Sequence, residues 1–126
     1  MKVIEGGVTA AQGFLAAGLS AGIKKGNTKD MAMLYSKVPC EAAGTFTTNI
    51  VKAAPVKWDQ KIVYESEKAQ AVICNSGIAN ACTGEEGFGC CKRNCKGSIF
   101  GIKHSGRFCL VASTGVIGQQ IPIEKD

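Results

Sequence analysis

Two short apolar runs, Gln70–Asn75 (QAVICN) and Phe108–Ser113 (FCLVAS), constrain the fold more than any other feature of this chain. Each is too short for a stable helix and is rich in apolar and β-branched residues. Each ends in a turn signal, Asn75-Ser76-Gly77 in one case and Thr114-Gly115 in the other. These properties predict buried strands. Trp58–Ala69 spaces Trp58, Ile62 and Val63 among charged residues, which predicts one amphipathic helix ahead of the first run. Strands alternating with helices predict an α/β fold.

The flanking segments are read the same way. Residues 1–25 predict extended chain and turns. Met31–Val38 and Gly44–Thr48 predict strands separated at Pro39. Ala53–Val56 reads as a strand end or edge because of Pro55. Thr83 with Glu86 three residues later predicts a capped helix start. The helix itself is expected to be ragged or absent between Cys90 and Gly106. Gly87, Gly89, Gly97, Gly101 and Gly106 each cost it about 1 kcal/mol relative to alanine, and its apolar residues show no helical period.

At 126 residues, with 45% hydrophobic and 20% charged residues, the chain is expected to be one small domain or a piece of a larger one. No apolar run approaches the ~18 residues of a membrane span, and the start lacks the pattern of an export signal. The expected location is the cytoplasm, without membrane partners. Seven cysteines without an export signal argue against a disulfide framework. Cys40, Cys74 and Cys82 sit in apolar surroundings and are expected to be small buried hydrophobes. Cys90, Cys91, Cys95 and Cys109 crowd one segment. That segment also holds five basic residues (Lys92, Arg93, Lys96, Lys103, Arg107) and no acid, which accounts for the whole net charge of +5. The remainder carries ten charges of each sign, so basicity is local.

Four motifs lie in series: VTAAQGF at 8–14, AAGTFTTNIVKAAPV at 42–56, AQAVICNSGIANACTGEEGF at 69–88 and LVASTGVIG at 110–118, with IPIEK behind them. Singly, each reads as a turn, a strand end or a small-residue loop. In this order and spacing the chain resembles the ornithine acetyltransferase/glutamate N-acetyltransferase family of arginine biosynthesis. The resemblance covers residues 1–89 and 109–125. Ala11 stands where the family tends to have proline, and Ile78 where it tends to have asparagine.

The resemblance implies a layered α/β sandwich of the Ntn-like type, of which this chain is one partial domain. It implies acetyl transfer from N-acetylornithine to glutamate through a threonine acyl-enzyme, with acetyl-CoA open as a further donor and no cofactor or metal. The nucleophile would be freed by autocatalytic cleavage, its own amine serving as base. By carry-over Thr114 and Gly115 supply the oxyanion hole. The nucleophilic threonine falls beyond Asp126, on a downstream β chain that would pair with this one as an α/β hetero-oligomer. Thr47, Thr48 and Thr83 do not match the cleavage context. The chain by itself is therefore expected to be inactive.

Residues 92–108 depart from the family pattern, which places an amphipathic helix there. A shifted reading frame accounts for their charge, cysteines and glycines together. Removing one base from permissible codons at Lys92 turns the segment into KETAKAVFLELNIQEDFVL, with the frame restored near Cys109 or Leu110. A rival from another class takes Cys91, Cys95, His104 and Cys109 as ligands of a small zinc- or nucleic-acid-binding module. Their C-x₃-C…H-x₄-C spacing matches no common finger, and no aromatic platform accompanies the basic residues.

Overall fold

The computed structural model describes residues 2–96 and 108–122. The order is β1 (Phe14–Leu19), β2 (Met31–Glu41), α1 (Ala54–Ser66), β3 (Lys68–Asn75), α2 (Gly84–Lys96) and β4 (Cys109–Ser113). The strands form one sheet in the order β1-β2-β3-β4. β1/β2 and β2/β3 are antiparallel, while β3/β4 is parallel with α2 in the crossover. The α/β expectation holds, and both runs predicted as buried strands are the two parallel strands.

One face of this sheet meets both helices. Met31, Met33, Ala71, Ile73, Cys109 and Val111 from the strands pack with Ala54, Trp58 and Ile62 of α1 and Cys91 and Cys95 of α2. Their alternation along β2 and β3 is the period-2 burial of a sheet with one covered side. Trp58 joins the layers: its indole N–H donates to the Cys109 carbonyl at 2.9 Å, and its ring meets Phe88 edge-on at 5.5 Å.

Several local expectations are corrected. Ala53–Val56 is not a strand end. Ala53 is the extended N-cap residue and Pro55 sits in the first turn of α1, where its missing N–H costs nothing. The helix also ends earlier than predicted, at Ser66. Glu67 takes a left-handed φ of 52°, and its N–H closes on Val63 O at 3.0 Å, which turns the chain directly into β3. Gly44–Thr48 forms no regular element and joins no ladder. β2 instead runs past Pro39 to Glu41, with a register break between Tyr35 and Cys40 that accommodates a residue unable to donate. Residues 1–25 contain a paired strand, β1, beyond the predicted extended chain. Of the isolated cysteines, Cys40 and Cys74 are half-buried and Cys82 is exposed.

The largest correction concerns α2, which is regular to Lys96 where the sequence predicted a break from Cys90. Its buried positions are Gly87, Cys90, Cys91, Asn94 and Cys95, a helical stripe that the count of apolar residues missed because glycine and asparagine carry part of it. Gly87 belongs there for packing: a Cβ would run into the side chains of Thr83 and Asn80. The expectations for Gly97, Gly101, Gly106, Lys103, His104 and Arg107 fall outside the described residues.

Asp59 on α1 faces this cysteine-rich core and accepts the Val111 N–H at 2.9 Å. Burial pushes its carboxyl up to about 6, against the opposing pull of that hydrogen bond. A folded value above the unfolded one of about 3.9 means that the group's contribution is complete below pH ~4 and lost as pH rises through about 6. Urea titrations of wild type and Asp59→Asn from pH 4 to 7.5 should therefore diverge, wild type losing stability that the amide variant keeps. Parallel profiles would remove Asp59 as the source.

Candidate functional site

β4 ends at Ser113, and the chain leaves the sheet through Thr114 and Gly115, both exposed. The Thr114 amide donates to Asn75 O at 3.1 Å, and the Val116 amide to Gly77 O at 3.0 Å. The Ala79 amide returns a bond to Val116 O at 2.9 Å, so Ile78 and Val116 extend the parallel pairing of β3 and β4 by one bridge. The Thr114 hydroxyl and the Gly115 N–H have no hydrogen-bond partner among the described residues.

Gly115 cannot be another residue without moving backbone. Its φ of 135° is open to glycine, and a Cβ would strike the Gly77 carbonyl group and the Ile78 nitrogen. Two turns, one after each parallel strand, are pressed together with no side chain between them. Side chains lock the arrangement from behind. Ser113 Oγ accepts the Asn80 amide at 2.8 Å and donates to Ile78 O at 3.3 Å. Asn75 Nδ2 donates to the same carbonyl at 2.7 Å. Asn80 then reaches Gly87 O at 2.8 Å, and the Thr83 hydroxyl donates to Asn80 Oδ1 at 2.6 Å. Thr83 is thus engaged by Asn80, and no hydrogen bond joins it to Glu86 in the predicted capping box.

A third segment supports this pair of turns. Asp30, 3% exposed, accepts the amides of Ala21 at 2.7 Å and Lys24 at 2.8 Å, and its own carbonyl takes the Ser76 N–H at 2.8 Å. Those amides hold its carboxyl below the usual range. The sequence reading of residues 1–25 as extended chain and turns stopped short of Asp30. The available signal was an aspartate closing a glycine-rich loop directly before a strand.

A cleft of about 740 Å³ lies between the N-termini of α1 and α2. Ile50, Val51, Lys52, Lys57, Cys82 and Phe88 are among its lining residues. Thr114 and Gly115 do not line it. Thr47 and Asn49 upstream make the local side-chain-to-backbone bonds expected of a strand end, Asn49 N to Thr47 Oγ1 at 3.2 Å and Val51 N to Asn49 Oδ1 at 3.3 Å, although no strand ends there.

The cysteine cluster is core. Cys90, Cys91, Cys95 and Cys109 are all buried, and no group of three metal-ligating side chains occurs among the described residues. Burial pushes the Cys91 thiol up to about 12. Cys95 is also raised, first by its hydrogen bond with Cys109 and then by burial. Neutral thiols of this kind act as small hydrophobes. Among the described residues no helix is long and apolar enough to cross a membrane.

A family model, that of the ArgJ family, matches residues 15–125. The arginine biosynthesis bifunctional protein ArgJ of Thermosynechococcus vestitus is 48% identical over 122 residues, which are 97% of this chain and 29% of that protein. The crystal structure of ornithine acetyltransferase complexed with ornithine from Mycobacterium tuberculosis superposes with a TM-score of 0.78 at 43% identity, covering 92% of this chain and 63% of that one. The ArgJ structure from Bacillus halodurans gives a TM-score of 0.77 at 37% identity, covering 93% and 61%. The chain thus spans under a third of the length of that curated relative.

Proposed function

The chain belongs to the ArgJ family, and on that premise we propose that it supplies the oxyanion-stabilising part of an acyltransferase that moves an acetyl group from N-acetylornithine to glutamate. In this reading a threonine on a second, downstream chain attacks the acetyl carbonyl, and its own amine takes the hydroxyl proton. The carbonyl oxygen becomes an oxyanion, which the Thr114 hydroxyl and the Gly115 N–H receive. Collapse of the intermediate, with that proton returned to the departing nitrogen, expels the ornithine amine and leaves the acetyl group as an ester on the threonine. The glutamate amine then attacks this ester and releases the threonine hydroxyl.

The observation that carries the reading is the exposed Thr114-Gly115 turn, whose backbone is fixed by Asn75, Gly77 and Ser113 while two donors stay unused. Donors held in place before the reaction need no reorganisation as charge develops, and losing one costs about 2.7–4 kcal/mol in comparable sites. The Thr114 amide is spent on Asn75 O, so the hydroxyl is the donor that Thr114 retains.

Co-expression with a downstream segment beginning at the reactive threonine tests this. Transfer of labelled acetyl from N-acetyl-L-ornithine to L-glutamate, followed by mass spectrometry, is expected from the pair and absent from this chain alone. Turnover by the unaided chain would overturn the placement of the nucleophile. An assembled pair without turnover would overturn the activity.

A further inference from the structure

We propose that Lys24 is a substrate-binding residue of this site, its ammonium holding the α-carboxylate carried by both the acetyl donor and the acetyl acceptor. The proposal rests on the acyltransferase reading above and adds a specificity-determining cation to it.

The argument starts from a stack of three segments. A Cβ at Gly77 would meet Lys24 Cγ at 2.9 Å, Ile23 Cγ2 at 3.0 Å and Lys24 Cε at 3.6 Å. The lysine stem therefore lies along Gly77 over its length, and Gly77 takes a φ of 107° that only glycine adopts freely. A Cβ at Gly115 would in turn fall on the Gly77 peptide. Lys24 is thus separated from the oxyanion donors by a single layer of backbone.

The position of Lys24 is built rather than incidental. Asp30 grips the Lys24 and Ala21 amides, and Gly22 and Gly26 turn the chain with φ of 79° and 81°. This fixes the backbone from which the side chain starts. Asp30 is committed to amides and forms no ion pair with Lys24. Among the described residues the one ion pair is Lys68–Glu41, so the Lys24 charge is unmatched. A half-buried lysine stem with an unmatched head, one layer of backbone from the Thr114-Gly115 turn, is suited to a second negative charge.

The substrates provide that charge at the right place. In N-acetylornithine and in glutamate the α-carboxylate is attached to the carbon that bears the reacting nitrogen. A cation that orients it must lie close to the acyl centre, and a hydrogen bond to a charged group is strong enough to select for it.

The reconstituted two-chain enzyme provides the test. Lys24→Met keeps the apolar stem on Gly77 and removes the charge. KM for N-acetyl-L-ornithine should rise about 10–100-fold, the size of one charged hydrogen bond, with kcat little changed. The loss should be confined to donors with a carboxylate, so N-acetylputrescine, which lacks it, should be handled alike by both proteins. Lys24→Arg should restore most of the affinity. Equal loss on both donors, or no change in KM, would overturn the assignment. Should the assembly show no turnover, the activity reading fails, and Lys24 is then judged by calorimetry with N-acetyl-L-ornithine. Weaker binding by Lys24→Met supports the site; equal or absent binding in both proteins overturns it.

Discussion

Replacing Thr114 by alanine in the reconstituted enzyme is expected to lower kcat by roughly 10²–10³ while leaving the fold intact. Thr114 is exposed, and its structural bond is made by the backbone amide, which alanine keeps. A surface change of this kind costs about 0.5 kcal/mol or less in stability. Gly115→Ala should behave differently. It places a Cβ on the Gly77 peptide at a φ of 135°, and neither neighbour is a flexible side-chain end that could yield. Backbone strain and overpacking together are expected to cost about 2–5 kcal/mol. The Gly115 variant should therefore lose activity and melting temperature together, the Thr114 variant activity alone. Steady-state kinetics beside thermal melts of the two proteins provide the comparison. An unaltered kcat in Thr114→Ala would take the hydroxyl out of the oxyanion hole without touching family membership.

Trp58→Ala should be the most damaging change in the core. The indole is buried among both helices and the sheet, its N–H satisfies the Cys109 carbonyl, and its ring packs on Phe88. Truncation removes that packing and the indole donor, leaving the Cys109 carbonyl only the weaker Cys95 thiol at 3.4 Å, for about 3–5 kcal/mol. Against the 5–15 kcal/mol of an ordinary domain this removes much of the stability. Trp58→Phe keeps most of the volume and loses one of the two donors to that carbonyl, so its cost should lie near that of one hydrogen bond, about 0.5–1.5 kcal/mol. Urea unfolding followed by circular dichroism measures both. A Trp58→Ala protein within about 1 kcal/mol of wild type would contradict the described core.

Local chemistry was legible in the sequence where one residue type has few options. The apolar runs that became β3 and β4 could not be exposed, and the helix carrying Trp58 and Ile62 showed its stripe directly. The Thr114-Gly115 turn was found through motif order, because a strand-to-turn transition of that kind is written in consecutive residues. Boundaries were less legible. Pro55 reads equally as a strand edge or as the first turn of a helix, and only the chain's path into α1 chose between them.

Where small residues meet across the fold, sequence was silent. The stripe Gly87-Cys90-Cys91-Asn94-Cys95 has little hydrophobic contrast, and it became a buried face only because Asn80, Thr83 and the sheet close over it. Gly77 and Gly115 looked like ordinary turn glycines, yet their backbones touch across 38 residues of chain. Asp30 and Lys24 gave no motif, because what they do depends on Gly77 lying beside them. Sequence determined which segments must be buried and where the Thr114-Gly115 turn lies, since hydrophobic transfer and backbone sterics act residue by residue. Tertiary structure alone decided what stands behind that turn, because close contact between distant backbones depends on how the strands register in space.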